Sequence, residues 1–164
     1  MSLSSQLQQE LPQLIGFQSS TPHVSRFVDP NGVELEIDFL HVDALSCSVA
    51  EIRLNVTSLQ NADMQTLEDW ANRLCGKITY LLENIGPLER DDQNKQMLIR
   101  STPPSQLPHG AKYYEIILKA QNAGRFVLKR YESQKGTPGR VPVEMQLTHE
   151  VLLKLVDDLV ATIP

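Results

Sequence analysis

Glu34, Glu36 and Asp38 place three carboxylates at alternating positions of one apolar–polar stretch. Paired carboxylates can move a proton or hold a cation. On a β-strand, however, residues two apart point the same way and stand ~7 Å apart, parallel rather than converging on one atom. The pattern therefore reads as a solvated or cross-strand-paired face, with Arg53, Lys119, Arg125 or Lys129 as opposing charges.

The other reactive side chains are scattered. His23, His41, His109 and His149 form neither an HExxH pair nor a Cys/His cluster at zinc-ligand spacing. Cys47 and Cys75 lie far apart without CxxC context and read as structural thiols. Lys135 to Arg140 combines two glycines, a hydroxyl and two cations, a composition that could cradle a phosphate. It leads into an expected strand rather than a helix N-terminus, and Pro138 has no N–H to offer, so a mobile connection is the better reading. GxSxG, phosphate-loop and GxGxxG signatures are absent. The sequence thus assigns no catalytic residue, no metal ligand and no cofactor, and a non-enzyme is favoured.

One feature points to an interface. Lys112–Gln121 and Arg125–Tyr131 alternate across Asn122-Ala123-Gly124, the pattern of a hairpin. Tyr114, Ile116, Leu118 and Ala120 are expected to face the helices. The other face would then show Tyr113, Ile117, Val127 and Tyr131, rimmed by Glu115, Lys119 and Lys129. Apolar and aromatic area on an open sheet face marks a partner, most simply a second copy of the chain.

The elements that position these residues follow from periodicity. Met64, Leu67, Trp70, Ala71, Leu74, Ile78, Leu81, Leu82 and Ile85 recur at helical spacing, predicting one long helix from Asp63 to Ile85. Asp63 caps its start, Gly86-Pro87 ends it, and Glu68, Asn72, Arg73, Lys77 and Glu83 form its polar face. Trp70, Leu74, Ile78 and Leu81 are expected to pack on Ile37, Phe39, Ile52 and Leu54. A first helix is expected over Ser2–Phe17, kinked or delayed by Pro12. Ser19–Pro22 reads as a loop and Val24–Asp29 as a short strand. The turn Asp29-Pro30-Asn31-Gly32 follows, then strands Val33–Val42 and Ser48–Val56, the latter with Ala50, Ile52, Leu54 and Val56 inward. Leu88–Lys95 reads as a charged loop, Gln96–Arg100 as a strand, and the prolines up to His109 as a surface connection. Val141–Leu147 is the last strand, with Val143, Met145 and Leu147 inward. Thr148 caps a final helix whose stripe is Val151, Leu152, Leu155, Val156, Leu159 and Ile163.

This order predicts a single α+β domain over residues 1–164: a mainly antiparallel sheet with helices on one face, in two layers, ordered α-βββ-α-β(n)-α. Apolar residues are 41% of the 164, and the net charge of -5 disfavours nucleic acid or an anionic membrane as the main partner. No stretch approaches the ~20 apolar residues of a membrane span, and the start has no charged-then-apolar pattern of a secretory signal. Two cysteines without a disulfide framework suit the cytoplasm. In element order, carried by Asp63–Ile85 and Thr148–Ile163, the chain resembles type III secretion chaperones and YbjN-like bacterial proteins. That resemblance implies a cytoplasmic dimer that binds protein segments without catalysis. The function expected is protein binding, chaperone-like in kind, by a homodimer or with another protein. The alternative is a small-ligand pocket between helix and sheet near Trp70.

Overall fold

The computed structural model describes residues Met1–Pro164. Three helices cover one face of a ten-stranded antiparallel sheet. Helix α1 (Leu3–Leu14) leads into strands β1 (Gln18–Val28), β2 (Glu34–Val42) and β3 (Ser46–Val56). Helix α2 (Met64–Lys77) follows, then β4 (Ile85–Asp91), β5 (Gln96–Ser101), β6 (Ser105–Leu107), β7 (Gly110–Lys119), β8 (Gly124–Gln134), β9 (Val141–Val143) and β10 (Met145–Thr148). Helix α3 (His149–Ala161) closes the chain. The main path across the sheet is β1-β2-β3-β8-β7-β5-β4.

Strand alternation decides which face is buried. Phe27, Leu35, Leu54, Phe126, Leu118 and Met97 are successive register partners across the sheet, and all are buried. A second row runs through Ile37, Ile52, Leu128, Ile116 and Ile99. These rows join the helix stripes in one continuous core. Because side chains on a strand alternate, every residue between the rows is held on the open face.

The sheet forks at β3. Its second half pairs with β8 and its first half with β10, while β9 stays on β8. The expected strand Val141–Leu147 is therefore two short ones, parted at Glu144 and lying on different neighbours. A bulge near the fork displaces Ala50, so Val49 rather than Ala50 joins the core.

Each helix start is capped as its sequence suggests. Ser2 Oγ accepts the N–H of Ser5, Asp63 Oδ1 that of Thr66, and Thr148 Oγ1 that of Val151. Pro12 sits in the last turn of α1, and the helix ends at Leu14 rather than at Phe17. Ser19–Pro22 is not a loop but part of β1, where an edge strand tolerates a proline because its outer side needs no N–H. Between Pro103 and His109 the chain forms β6, which folds back on β7.

Helix α2 is the main departure. It stops at Lys77, and Ile85, Gly86 and Pro87 belong to edge strand β4, so Leu88–Asp91 is strand as well. The intervening segment is drawn away by tertiary partners: Tyr80 donates to Asp158 on α3 (2.7 Å), and Glu83 pairs with Arg130 on β8 (3.0 Å). Glu83, placed on a solvent face by helical spacing, is buried, whereas Leu82 is 79% exposed and Leu81 half-buried. Trp70, Leu74 and Ile78 are buried as expected, but α2 lies over β4, β5 and β7. Trp70 packs on Phe126, with ring centroids 6.4 Å apart. Ile37 and Phe39 instead belong to β2, the strand beneath α1.

Candidate functional site: the open sheet face

The open face is built from the strand positions that alternate with the core. Arg53 on β3 gathers the carboxylates of the first half. It donates to Asp38 Oδ1 (2.7 Å) and Oδ2 (3.0 Å), to Glu36 Oε2 (3.2 Å) and to Glu51. The bonds it donates to Asp38 above all hold its guanidinium charged more firmly than usual. Glu34 stands beside Asn55 at the end of the row (3.5 Å). Lys129 bridges the fork to Glu51 at 3.2 Å; burial works against its charge, yet the Glu51 contact leaves its pKa raised. Of the cations expected to meet Glu34, Glu36 and Asp38, Arg53 alone does so, joined by Arg26 at 3.5 Å from Glu36. Lys119 and Arg125 face each other across β7 and β8 with no ion-pair partner.

The four residues expected at an interface all lie on this face, half-buried by their neighbours rather than fully exposed. Ile117 and Val127 are direct register partners, and Leu98 on β5 extends them into an apolar strip. Arg53 ends the strip on the β3 side. Beside it Tyr113 and Tyr131 stack, centroids 6.0 Å apart. Ile117, Val127 and Tyr131 are the apolar part of the lining of a hollow of about 300 Å³, whose other lining residues are charged.

Arg140 is the residue that strand periodicity missed. The loop Lys135–Arg140, read as mobile, ends in a side chain that locks onto the face. Arg140 forks Glu115, with Nη2 at 3.1 Å from Oε1 and Nη1 on Oε2, and lies 3.7 Å from the Tyr131 ring centre. Its hydrogen bonds to Glu115 hold its charge above the usual range. Arg100 donates to the same carboxylate at 3.1 Å and covers Tyr113 at 5.0 Å. Glu115, expected at an exposed rim, is consequently only 3% exposed. Positive φ at Gly136 and Gly139 lets the loop turn back sharply enough for this, a requirement that glycine meets without strain.

The remaining reactive groups stay apart. His41 lies 3.9 Å from Asp43, His23 packs edge-on against Phe17, and His149 sits 3.2 Å from the Ser46 carbonyl. No three His, Cys, Asp or Glu side chains stand close enough to share a metal. His41, Asp43 and Cys47 line a polar hollow of about 640 Å³. Burial pushes the Cys47 thiol up to about 12, which disfavours the thiolate form at neutral pH. Trp70 is fully buried and lines none of the five principal cavities. No protein family, curated protein or solved structure matches the chain.

Proposed function

We propose that the chain is a non-enzymatic, chaperone-like protein-binding module that works through its open sheet face, with a second copy of itself as the first partner. The strip Leu98–Ile117–Val127, flanked by the Tyr113–Tyr131 stack, carries this reading. Aromatic and branched apolar side chains on rigid strands lose little entropy on contact, which suits the centre of an interface. Apart from Lys119 and Arg125, the charged groups around Ile117 and Val127 are pre-paired, so docking over them strips water from neutralised pairs rather than from lone ions. A two-fold axis through the strip lets one patch satisfy itself. No helix is long and apolar enough to cross a membrane. We infer a cytoplasmic setting from the two free thiols, Cys47 and Cys75. Sedimentation of the unmodified chain beside Ile117→Asp tests the proposal: the first should associate and the second should not.

A further inference from the structure

Two cations and two carboxylates on the open face have no ion-pair partner in their own chain. Lys119 and Arg125 are exposed register partners on β7 and β8. Glu89 on β4 is exposed and equally free. Asp91, two residues on, is held only by its turn, through the backbone N–H (3.1 Å) and side-chain amide (2.8 Å) of Asn94. Its oxygens keep further lone pairs. Both carboxylates show on this face because Arg90 between them points the other way, to Glu68 on α2 (2.9 Å).

The two sets lie on opposite sides of Ile117. Lys119 and Arg125 line one hollow with it, of about 300 Å³, and Glu89 and Asp91 line a second, of about 190 Å³, with it and Leu98. Arg125, Lys119, Gln96 and Asp91 form one row across β8-β7-β5-β4. Arg125 and Asp91 thus stand three strands apart, ~14 Å at the usual spacing, too far to pair within one copy.

A surface with positive charge on one side of an apolar centre and negative charge on the other satisfies itself through a half-turn. The register decides where the axis lies. An axis along the strands, on β7 or between β7 and β8, sets Lys119 over its own counterpart or over Arg125. One across the strands through Ile117 and Val127 sets Arg125 over Lys129. Each of these opposes like charges. An axis along the strands between β7 and β5 sets Ile117 over Leu98 and Arg125 over Asp91, and one row further Glu115 over Arg100. Stacked sheets lie ~10 Å apart, a gap that an arginine and a carboxylate side chain span together.

We propose that the second copy docks about this axis, so that Lys119 and Arg125 of each copy meet Glu89 and Asp91 of the other. The contact centres on Ile117 and Leu98, with Val127 at its margin beside Glu89. The chain carries both signs of charge itself, so no other partner is needed to supply either. The arrangement rests on the self-association proposed above and adds the turn that relates the two copies.

Two variants test it by sedimentation equilibrium over a concentration series. One is Arg125→Glu. The other combines Glu89→Lys with Asp91→Asn, the asparagine keeping an acceptor for the Asn94 turn. Each alone should keep its circular dichroism and dimerise about tenfold more weakly than the unmodified chain, since both sets of rim pairs are lost. An equimolar mixture of the two should regain the unmodified affinity, because the new carboxylate of one meets the new ammonium of the other. A mixture no tighter than either variant alone, or variants as tight as the unmodified chain, would overturn the arrangement. Association through the face itself would then still stand on the behaviour of Ile117→Asp. A monomeric unmodified chain would remove both.

Discussion

Tyr113 and Tyr131 stand opposite each other on β7 and β8, ring centroids 6.0 Å apart, and each lies beneath an arginine that also binds Glu115. One of those arginines, Arg100, comes from a strand. The other, Arg140, comes from a loop. The pair is therefore more than a cross-strand contact, because it fastens the Lys135–Arg140 turn to the open face. Stacking against a ring and forking a carboxylate are both tasks that a planar guanidinium performs better than an ammonium.

Arg140→Ala should release that loop. Glu115 keeps Arg100, and Arg140 is itself partly solvated, so the loss is modest: about 1–2 kcal/mol by urea unfolding. Hydrogen exchange should rise across residues 135–140 and little elsewhere. Unchanged exchange in the loop would mean that the Arg140 contacts do not hold it.

Glu83→Ala should be far more damaging. It leaves Arg130 buried with no carboxylate, and breaking one side of such a pair costs ~3–5 kcal/mol. The double change Glu83→Leu with Arg130→Met removes both charges and should recover much of that loss. If Glu83→Ala unfolds at the same denaturant concentration as the unmodified chain, the pair is not the buried one described.

Two leucines separate the helix from its apparent continuation. Leu74 is fully buried in α2, and Leu74→Ala should cost ~2–5 kcal/mol. Leu82→Ala, at a 79% exposed position, should stay within ~0.5 kcal/mol. Equal costs would return Leu82 to a helix face and contradict the end of α2 at Lys77.

That pair also marks the limit of what the sequence made legible. The alternation of Leu35, Ile37 and Phe39, and of Tyr114, Ile116 and Leu118, gave the strand faces correctly because every one of those side chains meets the same core. Caps at Asp63 and Thr148 were equally readable, since a cap is a local hydrogen bond. Beyond Lys77 the spacing of Ile78, Leu81, Leu82 and Ile85 continues a helical period by coincidence. Ile78 is buried as the residue ending the helix, and Ile85 as a strand residue. What ends the helix is distant, Asp158 for Tyr80 and Arg130 for Glu83, and no local pattern contains it. On the open face Tyr113, Ile117, Val127 and Tyr131 followed from alternation alone. Leu98 was available from the same logic on β5, but Arg140 was not, because its role depends on where a glycine-bearing loop lands.

Acid should weaken the fold through its turn and cap aspartates. Asp43 and Asp63 accept chiefly backbone N–H bonds, Asp91 accepts first from the Asn94 side-chain amide and then from its backbone N–H, and all three have pKa values lowered from 3.8. A lowered folded pKa means that the unfolded chain binds more protons, so stability rises with pH. Their contribution is complete above the unfolded value and lost as pH falls through the folded ones. Asp63→Asn keeps a capping oxygen without the titration. Its melting temperature should therefore fall less between pH 5 and pH 2.5, on the order of those carboxylate values. A parallel fall in both proteins would show that Asp63 does not contribute.

Sedimentation equilibrium at tens of micromolar tests the central claim most directly. The unmodified chain should sediment as a dimer, and Ile117→Asp as a monomer with unchanged circular dichroism. Ile117 is half-buried on the open face near Lys119, Arg125 and Lys129, so a carboxylate there is tolerated in a single copy. Buried at a two-fold contact it would be opposed by its own counterpart. A monomeric unmodified chain at those concentrations would contradict self-association through this face, and an Ile117→Asp chain that still dimerises would place the contact elsewhere.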